Sequence, residues 1–121
     1  MNDGADVRRK INGVNFIEAL VTFLPTDAGG RARPIAPREG SYRPHARSAA
    51  GEPLLRIRFI EGPPRIAPGD AARVVVEIEN DVQLAGGCEL DVLEHDRVVG
   101  LMTVTRAWIT SPQLPPSAGA D

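Results

Sequence analysis

The sequence predicts an all-β domain, either a sandwich or a small closed barrel, and three observations support this. Several short stretches alternate apolar and polar residues with the period of two that half-buried strands show. The 121 residues include 12 glycines and 11 prolines, which indicate frequent turns. Aromatic residues make up only 4% of the chain, so the core must consist mainly of Val, Leu and Ile, which favour strands. The length fits one domain with one core.

Two predicted strands precede the middle of the chain. The first is IEALVTFL, residues 17–24, where eight residues closed by Pro25 suit a strand better than a helix. The second is LLRIRFI, residues 54–60, which places Leu55, Ile57 and Phe59 on one face.

The stretch 68–106 contains three further strand patterns. Its first strand alternates Val74, Val76 and Ile78 against charged neighbours, and its second begins with Cys88. We expect Cys88 to be a small buried hydrophobic residue on the same face as Leu90. A hairpin tip over Glu94, His95 and Asp96 leads into the third strand, 98–107. The pattern predicts an antiparallel meander of the three strands.

The remaining segments carry no strand pattern. Residues 25–53 are rich in Gly, Pro, Ser and Arg and predict no regular element, although a long loop of this kind is functional, poorly ordered or a degraded strand. We expect residues 1–15 to be a flexible tail, 16–108 to form the domain and 109–121 to be a disordered tail.

Charge is distributed unevenly along the chain. Residues 31–58 contain seven arginines against two glutamates, a net charge of +5. Residues 70–96 contain eight acids against one arginine, a net charge of −7. A basic segment can be the footprint of nucleic-acid binding, but the acidic segment can also fold against it, or both can be solvated.

The sequence offers no pattern typical of an enzyme. The single lysine, Lys10, lies outside any phosphate-binding loop, and His45, Cys88 and His95 are too scattered to predict a metal site. We therefore expect no cofactor and no catalytic activity. A lone cysteine excludes an internal disulfide, and no apolar run approaches the ~20 residues of a membrane span. We expect a cytoplasmic protein without a membrane partner.

Five motifs in order resemble the C-terminal, third β-barrel domain of translation elongation factor Tu. They are a strand ending in Leu-Pro, a Gly-Gly-Arg turn followed by Pro, a Tyr-Arg-Pro triplet, a Pro-Gly-Asp turn and an Arg-Val-Val-Gly run, at residues 24–25, 29–34, 42–44, 68–70 and 97–100. The resemblance covers roughly residues 16–107. It implies a closed, six-stranded antiparallel Greek-key barrel without the GTP-binding domain, and hence no GTP.

In that family the barrel helps to hold the T-stem of aminoacyl-tRNA and contacts partner proteins. The resemblance transfers such a role to Tyr42 and Arg43, to His45 in place of a family glutamine, and to Glu94 and Arg97 at the hairpin tip. With the basic segment, the candidate RNA- or partner-binding residues are Arg31, Arg33, Tyr42, Arg43, His45, Arg47, Glu94 and Arg97. An alternative for Tyr42 is packing against its own barrel, with its hydroxyl bonded to the backbone.

Two departures from the family limit this transfer. His95 and Asp96 replace two glycines at the tip, so bare backbone is lost where a phosphate would approach. Residues 46–51, ARSAAG, replace an aromatic-rich strand, which predicts an irregular edge strand or a partly open barrel.

Two functions remain open at this point. One is a non-catalytic binding module that engages tRNA or a translation protein through residues 31–58. The other is a protein-interaction or assembly module, a homodimer included, that has lost RNA binding. Function transferred from a fold is analogy only.

Overall fold

A computed structural model describes residues 14–48, 54–80, 82 and 84–110 of the chain. These residues form a closed barrel in which every strand pairs with its neighbours in antiparallel orientation. The six strands are β1 (Val14–Phe23), β2 (His45–Ser48), β3 (Leu54–Glu61), β4 (Ala71–Ile78), β5 (Glu89–Glu94) and β6 (Arg97–Thr110). The all-β prediction and its closed-barrel alternative are confirmed.

The order of strands around the barrel is β1-β4-β3-β2-β5-β6, and β6 pairs with β1 to close it. Strands β2, β3 and β4 are successive neighbours, and β1 lies beside β4, which is the Greek-key arrangement. The meander predicted for residues 68–106 is confirmed for the hairpin of β5 and β6 and wrong for its first strand, because β4 pairs with β1 and β3 and does not pair with β5. Alternation decides which face of a strand is buried, but it does not decide which strand lies beside it.

The predicted apolar faces point into the barrel. The alternating residues of β1, β3 and β4 are at most 2% exposed and include Ile17, Ala19, Val21, Phe23, Leu55, Ile57, Phe59, Val74, Val76 and Ile78. The strand interpretation of residues 17–24 is confirmed, because a helix would have placed these residues on several faces. Cys88 is only half-buried at the margin of the core, just before β5 begins. The expectation of a buried position for it is therefore only partly met.

The predictions of an irregular edge strand or a partly open barrel are wrong for residues 46–48. Strand β2 pairs with β3 on one side and with β5 on the other, so it is an internal strand that completes the barrel. Ala46 is fully buried opposite Leu55 and Val92. Leu55 and Val92 have larger side chains and are themselves at most 1% exposed. Residues 49–51 of that prediction lie outside the described part.

The long segment before β2 is also more ordered than predicted. It contains two short 3-10 turns, Thr26–Ala28 and Pro37–Glu39. Ile35 and Ile66 are buried and exchange two backbone hydrogen bonds of 3.0 and 2.9 Å. This bridge holds the segment against the end of the barrel.

The barrel extends slightly beyond its predicted limits of 16 and 108. Strand β1 begins at Val14 and β6 continues to Thr110, and the other residues of both predicted tails lie outside the described ranges. Among the residues that the structure describes, no helix has the length and apolar character needed to span a membrane.

Candidate interaction site at one end of the barrel

Three predicted site residues meet at the end of the barrel where β1, β3 and β5 finish. Glu94 is the last residue of β5, and Arg31 lies in the segment that follows β1. Tyr42 lies just ahead of β2, and its carbonyl oxygen accepts a 3.0 Å hydrogen bond from the backbone N–H of Phe59. Strand direction therefore brings together residues that are up to 63 positions apart in the chain.

The carboxylate of Glu94 connects the other two side chains. Arg31 Nη1 and the Tyr42 hydroxyl each donate a 2.6 Å hydrogen bond to Glu94 Oε2. The guanidinium carbon of Arg31 lies 4.9 Å from the centre of the Tyr42 ring, a cation–π distance. Only 20% of the Arg31 side chain and 25% of the Glu94 side chain are exposed. We call these residues the Arg31–Tyr42–Glu94 cluster.

Tyr42 packs against its own barrel, as one of the two alternatives for it stated. Its ring centre is 5.2 Å from that of Phe59, with the rings edge to face, and 6.1 Å from that of Phe23. The hydroxyl differs from the expectation, because it bonds to a carboxylate instead of the backbone. Burial raises the pKa of Tyr42 above its usual range, and the hydrogen bond to Glu94 raises the pKa further.

Two glycines set the position of Arg31. Gly29 ends the first 3-10 turn with a positive φ of 96°. Gly30 is buried, and a Cβ on it would overlap the carbonyl oxygen of Leu24. The backbone carbonyl of Arg31 then accepts a 2.6 Å hydrogen bond from the Thr26 hydroxyl. The predicted Gly-Gly-Arg turn thus fixes the backbone from which Arg31 reaches Glu94.

A bulge and an unusual tip residue set the position of Glu94. The register of β5 against β6 shifts between Val92 and Leu93, so that Val99 is the extra residue of β6. Beyond Glu94, His95 has a φ of 61°, the only positive φ among the described non-glycine residues. His95 stands where the resemblance places a glycine, and a glycine would adopt this left-handed backbone easily.

A second group of ion pairs, which we call the ion-paired wall, lies on the outside of β2 to β5 and at the adjoining strand ends. Glu79 lies 2.9 Å from Arg43 and 3.6 Å from Arg56, and Arg58 contacts Glu77 at 2.6 Å. Across β2 and β5, Arg47 and Asp91 are register partners whose charged groups are 3.6 Å apart. Together with Arg31, this pairs five of the seven arginines of residues 31–58 with acids from residues 70–96. Of the alternatives for the two charged segments, folding against each other is the one observed.

The other predicted site residues take different positions. Arg33 and Arg97 are exposed near the cluster end of the barrel, whereas Arg43 and Arg47 belong to the ion-paired wall. His45 is half-buried on β2, in register with Arg56 and Leu93. Sequence reasoning found Glu94 but missed Glu77, Glu79 and Asp91, because strand neighbours are not visible in an alternation pattern.

A surface cavity of about 500 Å³ adjoins the cluster. Arg31 and Tyr42 form part of its wall, and the rest includes both apolar and charged side chains, among them Ile35, Glu39 and Arg65. Within the described ranges, no three His, Cys, Asp or Glu side chains are grouped so that they could hold a metal ion. A search of protein-family models finds none that matches this chain.

Proposed function

We propose that this protein is a non-catalytic binding module whose partner is a protein, on a barrel related to the third domain of elongation factor Tu. One observation carries the choice of a protein over RNA. Five of the seven arginines in the basic segment already pair with carboxylates of the same chain.

These ion pairs occupy the cationic side chains that RNA binding would need. Affinity for a phosphate backbone comes from cationic side chains that replace bound counterions. Here Glu77, Glu79 and Asp91 lie between the arginines of the barrel wall, so a phosphate would meet negative charge beside each positive one. At the cluster, Arg31 would have to leave a 2.6 Å contact with Glu94 before it could bind another anion. A surface of alternating charges is better suited to a protein partner with its own complementary pattern.

The relation to elongation factor Tu rests on the order of the five sequence motifs. The closed Greek-key barrel and the left-handed His95 are features that such a relation would produce. The fold by itself does not assign a function.

A second candidate is RNA binding through the exposed arginines at the cluster end. Arg33, Arg65 and Arg97 are exposed there and form no ion pair with another described residue. This candidate keeps the tRNA role that the family resemblance implies.

Titration of labelled tRNA at 50 and 200 mM salt separates the two candidates. We expect no saturable binding at 200 mM salt and at most weak binding at 50 mM, because few cations are free to release counterions. Micromolar binding that weakens steeply with salt, and that is lost in the Arg33→Ala/Arg97→Ala double variant, would overturn the protein-binding proposal. The double variant of the paired residues Arg43 and Arg47 is the matched control, and it should leave any tRNA binding nearly unchanged.

A further inference from the structure

The outer face of β1 and β6 carries exposed apolar side chains that the cluster and the ion-paired wall do not involve. Leu20 is 46% exposed and Leu101 is 51% exposed. Thr22 and Thr103, their register partners across the two strands, are exposed as well. A depression of about 410 Å³ lies on this face and is lined by residues of β1, β6 and β5, among them Leu20, Leu101 and Glu89.

The strand register places charges of opposite sign on the two strands that flank this face, β4 and β5. One row across the sheet reads Arg73, Leu20, Thr103 and Glu89 on β4, β1, β6 and β5. The next row reads Ala71, Thr22, Leu101 and Asp91 on the same strands. Asp91 already pairs with Arg47, and Glu18 pairs with Arg106 at 3.1 Å on the neighbouring row of β1 and β6. Arg73 and Glu89 are therefore the charges beside the apolar centre that have no ion-pair partner among the described residues.

We propose that this face binds a second copy of the chain in a symmetric dimer, with the two-fold axis parallel to the strands between β1 and β6. Rotation about that axis exchanges the two sides of each row. Arg73 of one protomer then faces Glu89 of its partner, and this pair occurs twice. Leu20 faces Thr103 of the partner, above the depression, and Leu101 faces Thr22.

The strand register favours a second copy of the chain over an unrelated protein as the partner of this face. A single row carries both a cation and an anion at equal distances from its centre, so the face is complementary to itself. The two charges cannot satisfy each other within one protomer, because β4 and β5 are three strand spacings apart, about 14 Å, on a convex surface. Long arginine and glutamate side chains can bridge the gap that two convex faces leave at the margins of their contact. Two barrels packed in this way would have aligned strands, as in sheet-on-sheet packing.

This inference goes beyond the proposed protein-binding function, because the dimer face is separate from the cluster and from the ion-paired wall. The two can fail separately. A protein that stays monomeric would remove the dimer, whereas the tRNA titration tests the binding class whatever the oligomeric state.

The first test is the oligomeric state of the full chain, measured by sedimentation equilibrium from about 1 to 300 μM. We expect a monomer–dimer equilibrium within this range. Leu101→Lys places a charge near the centre of the interface twice per dimer, and it should weaken association by at least a hundredfold. Leu54→Lys is the matched control, because Leu54 is equally exposed, at 49%, on the outside of β3. It should leave association unchanged, while circular dichroism checks that both variants fold.

The second test is a charge exchange. Arg73→Glu and Glu89→Arg should each weaken the dimer roughly tenfold, since two exposed ion pairs become repulsive contacts. The double variant R73E/E89R restores attraction with reversed polarity, and its dissociation constant should return to within about threefold of the original protein. A monomer throughout, a dimer that Leu101→Lys leaves intact, equal loss in Leu54→Lys, or a double variant as weak as the single ones would each overturn the proposal.

Discussion

The hydroxyl of Tyr42 donates a 2.6 Å hydrogen bond to the carboxylate of Glu94, although 52 residues separate them in the chain. The same carboxylate oxygen accepts a bond from Arg31, so the cluster fastens the segment before β2 to the β5–β6 hairpin tip. Tyr42 and Glu94, for which the family resemblance implies a tRNA contact, are here bonded to each other at the end of the barrel. This relationship leads to two predictions about stability, and the backbone of the neighbouring His95 leads to a third.

Removal of the shared acceptor should destabilise the barrel. In Glu94→Ala the Tyr42 hydroxyl and the Arg31 guanidinium both lose their partner in a partly buried position, which should lower the free energy of unfolding by about 1–3 kcal/mol. Glu94→Gln keeps an acceptor but loses the charge, so it should cost less than the alanine variant. Urea unfolding at pH 7 measures the free energy of unfolding of both variants.

The control for Glu94 is the more exposed pair between Arg47 and Asp91, whose charged groups lie 3.6 Å apart. Arg47→Ala should cost less than about 1 kcal/mol, because exposed ion pairs contribute little. Equal costs for Glu94→Ala and Arg47→Ala would show that the cluster is no more than a surface ion pair.

Tyr42 should resist ionisation while the barrel is folded. Burial and the bond to Glu94 raise the pKa of Tyr42, whereas the hydroxyl of an unfolded chain ionises near pH 10. Above about pH 10 the unfolded chain therefore binds one proton fewer than the folded chain. The contribution of Tyr42 to stability is complete below that pH and is lost as the pH rises further, by up to about 1.4 kcal/mol per pH unit.

Absorbance at 295 nm measures this directly, because Tyr42 is the only tyrosine. We expect the tyrosinate signal to rise only together with the loss of β-sheet circular dichroism. Tyr42→Phe should unfold with a smaller dependence on alkaline pH. A folded protein that titrates near pH 10 would contradict the raised pKa.

A glycine should be favourable at the hairpin tip, at His95 but not at Asp96. His95 has a φ of 61°, which costs a side-chain-bearing residue about 1–2 kcal/mol. His95→Gly relieves this backbone strain, although glycine loses more conformational entropy on folding and so offsets part of the stabilisation. The free energy of unfolding should therefore rise by up to about 1 kcal/mol. Asp96→Gly has no such strain to relieve and should be neutral or destabilising. Thermal unfolding measures the stability of both variants against the original protein. A loss of stability in His95→Gly would contradict the left-handed geometry of His95.

Most strands could be predicted from the sequence because successive side chains of a strand point to opposite faces, whatever lies beside the strand. Val74, Val76 and Ile78 had to share one face whatever their neighbours, and that face is the buried one. Strand β2 was not readable in this way, because Ala46 contributes only a methyl group and the strand is held by pairing on both sides. The predicted meander placed β4 beside β5 wrongly for a related reason, since the choice of neighbour depends on connections across the barrel ends.

Some features of the candidate site were predictable from the sequence and others were not, for the same reason. The residue types, the two oppositely charged segments and the turn that precedes Arg31 all followed from the amino-acid order. The pairing of Arg31 with Glu94, and of Arg58 with Glu77, depended on which strands the closed barrel makes adjacent. The sequence thus determined the faces of the strands, the turns and the charges, because these follow from neighbouring residues. Only the tertiary structure decided which charges meet, because closure of the barrel brings together carboxylates and guanidinium groups that are far apart in the chain.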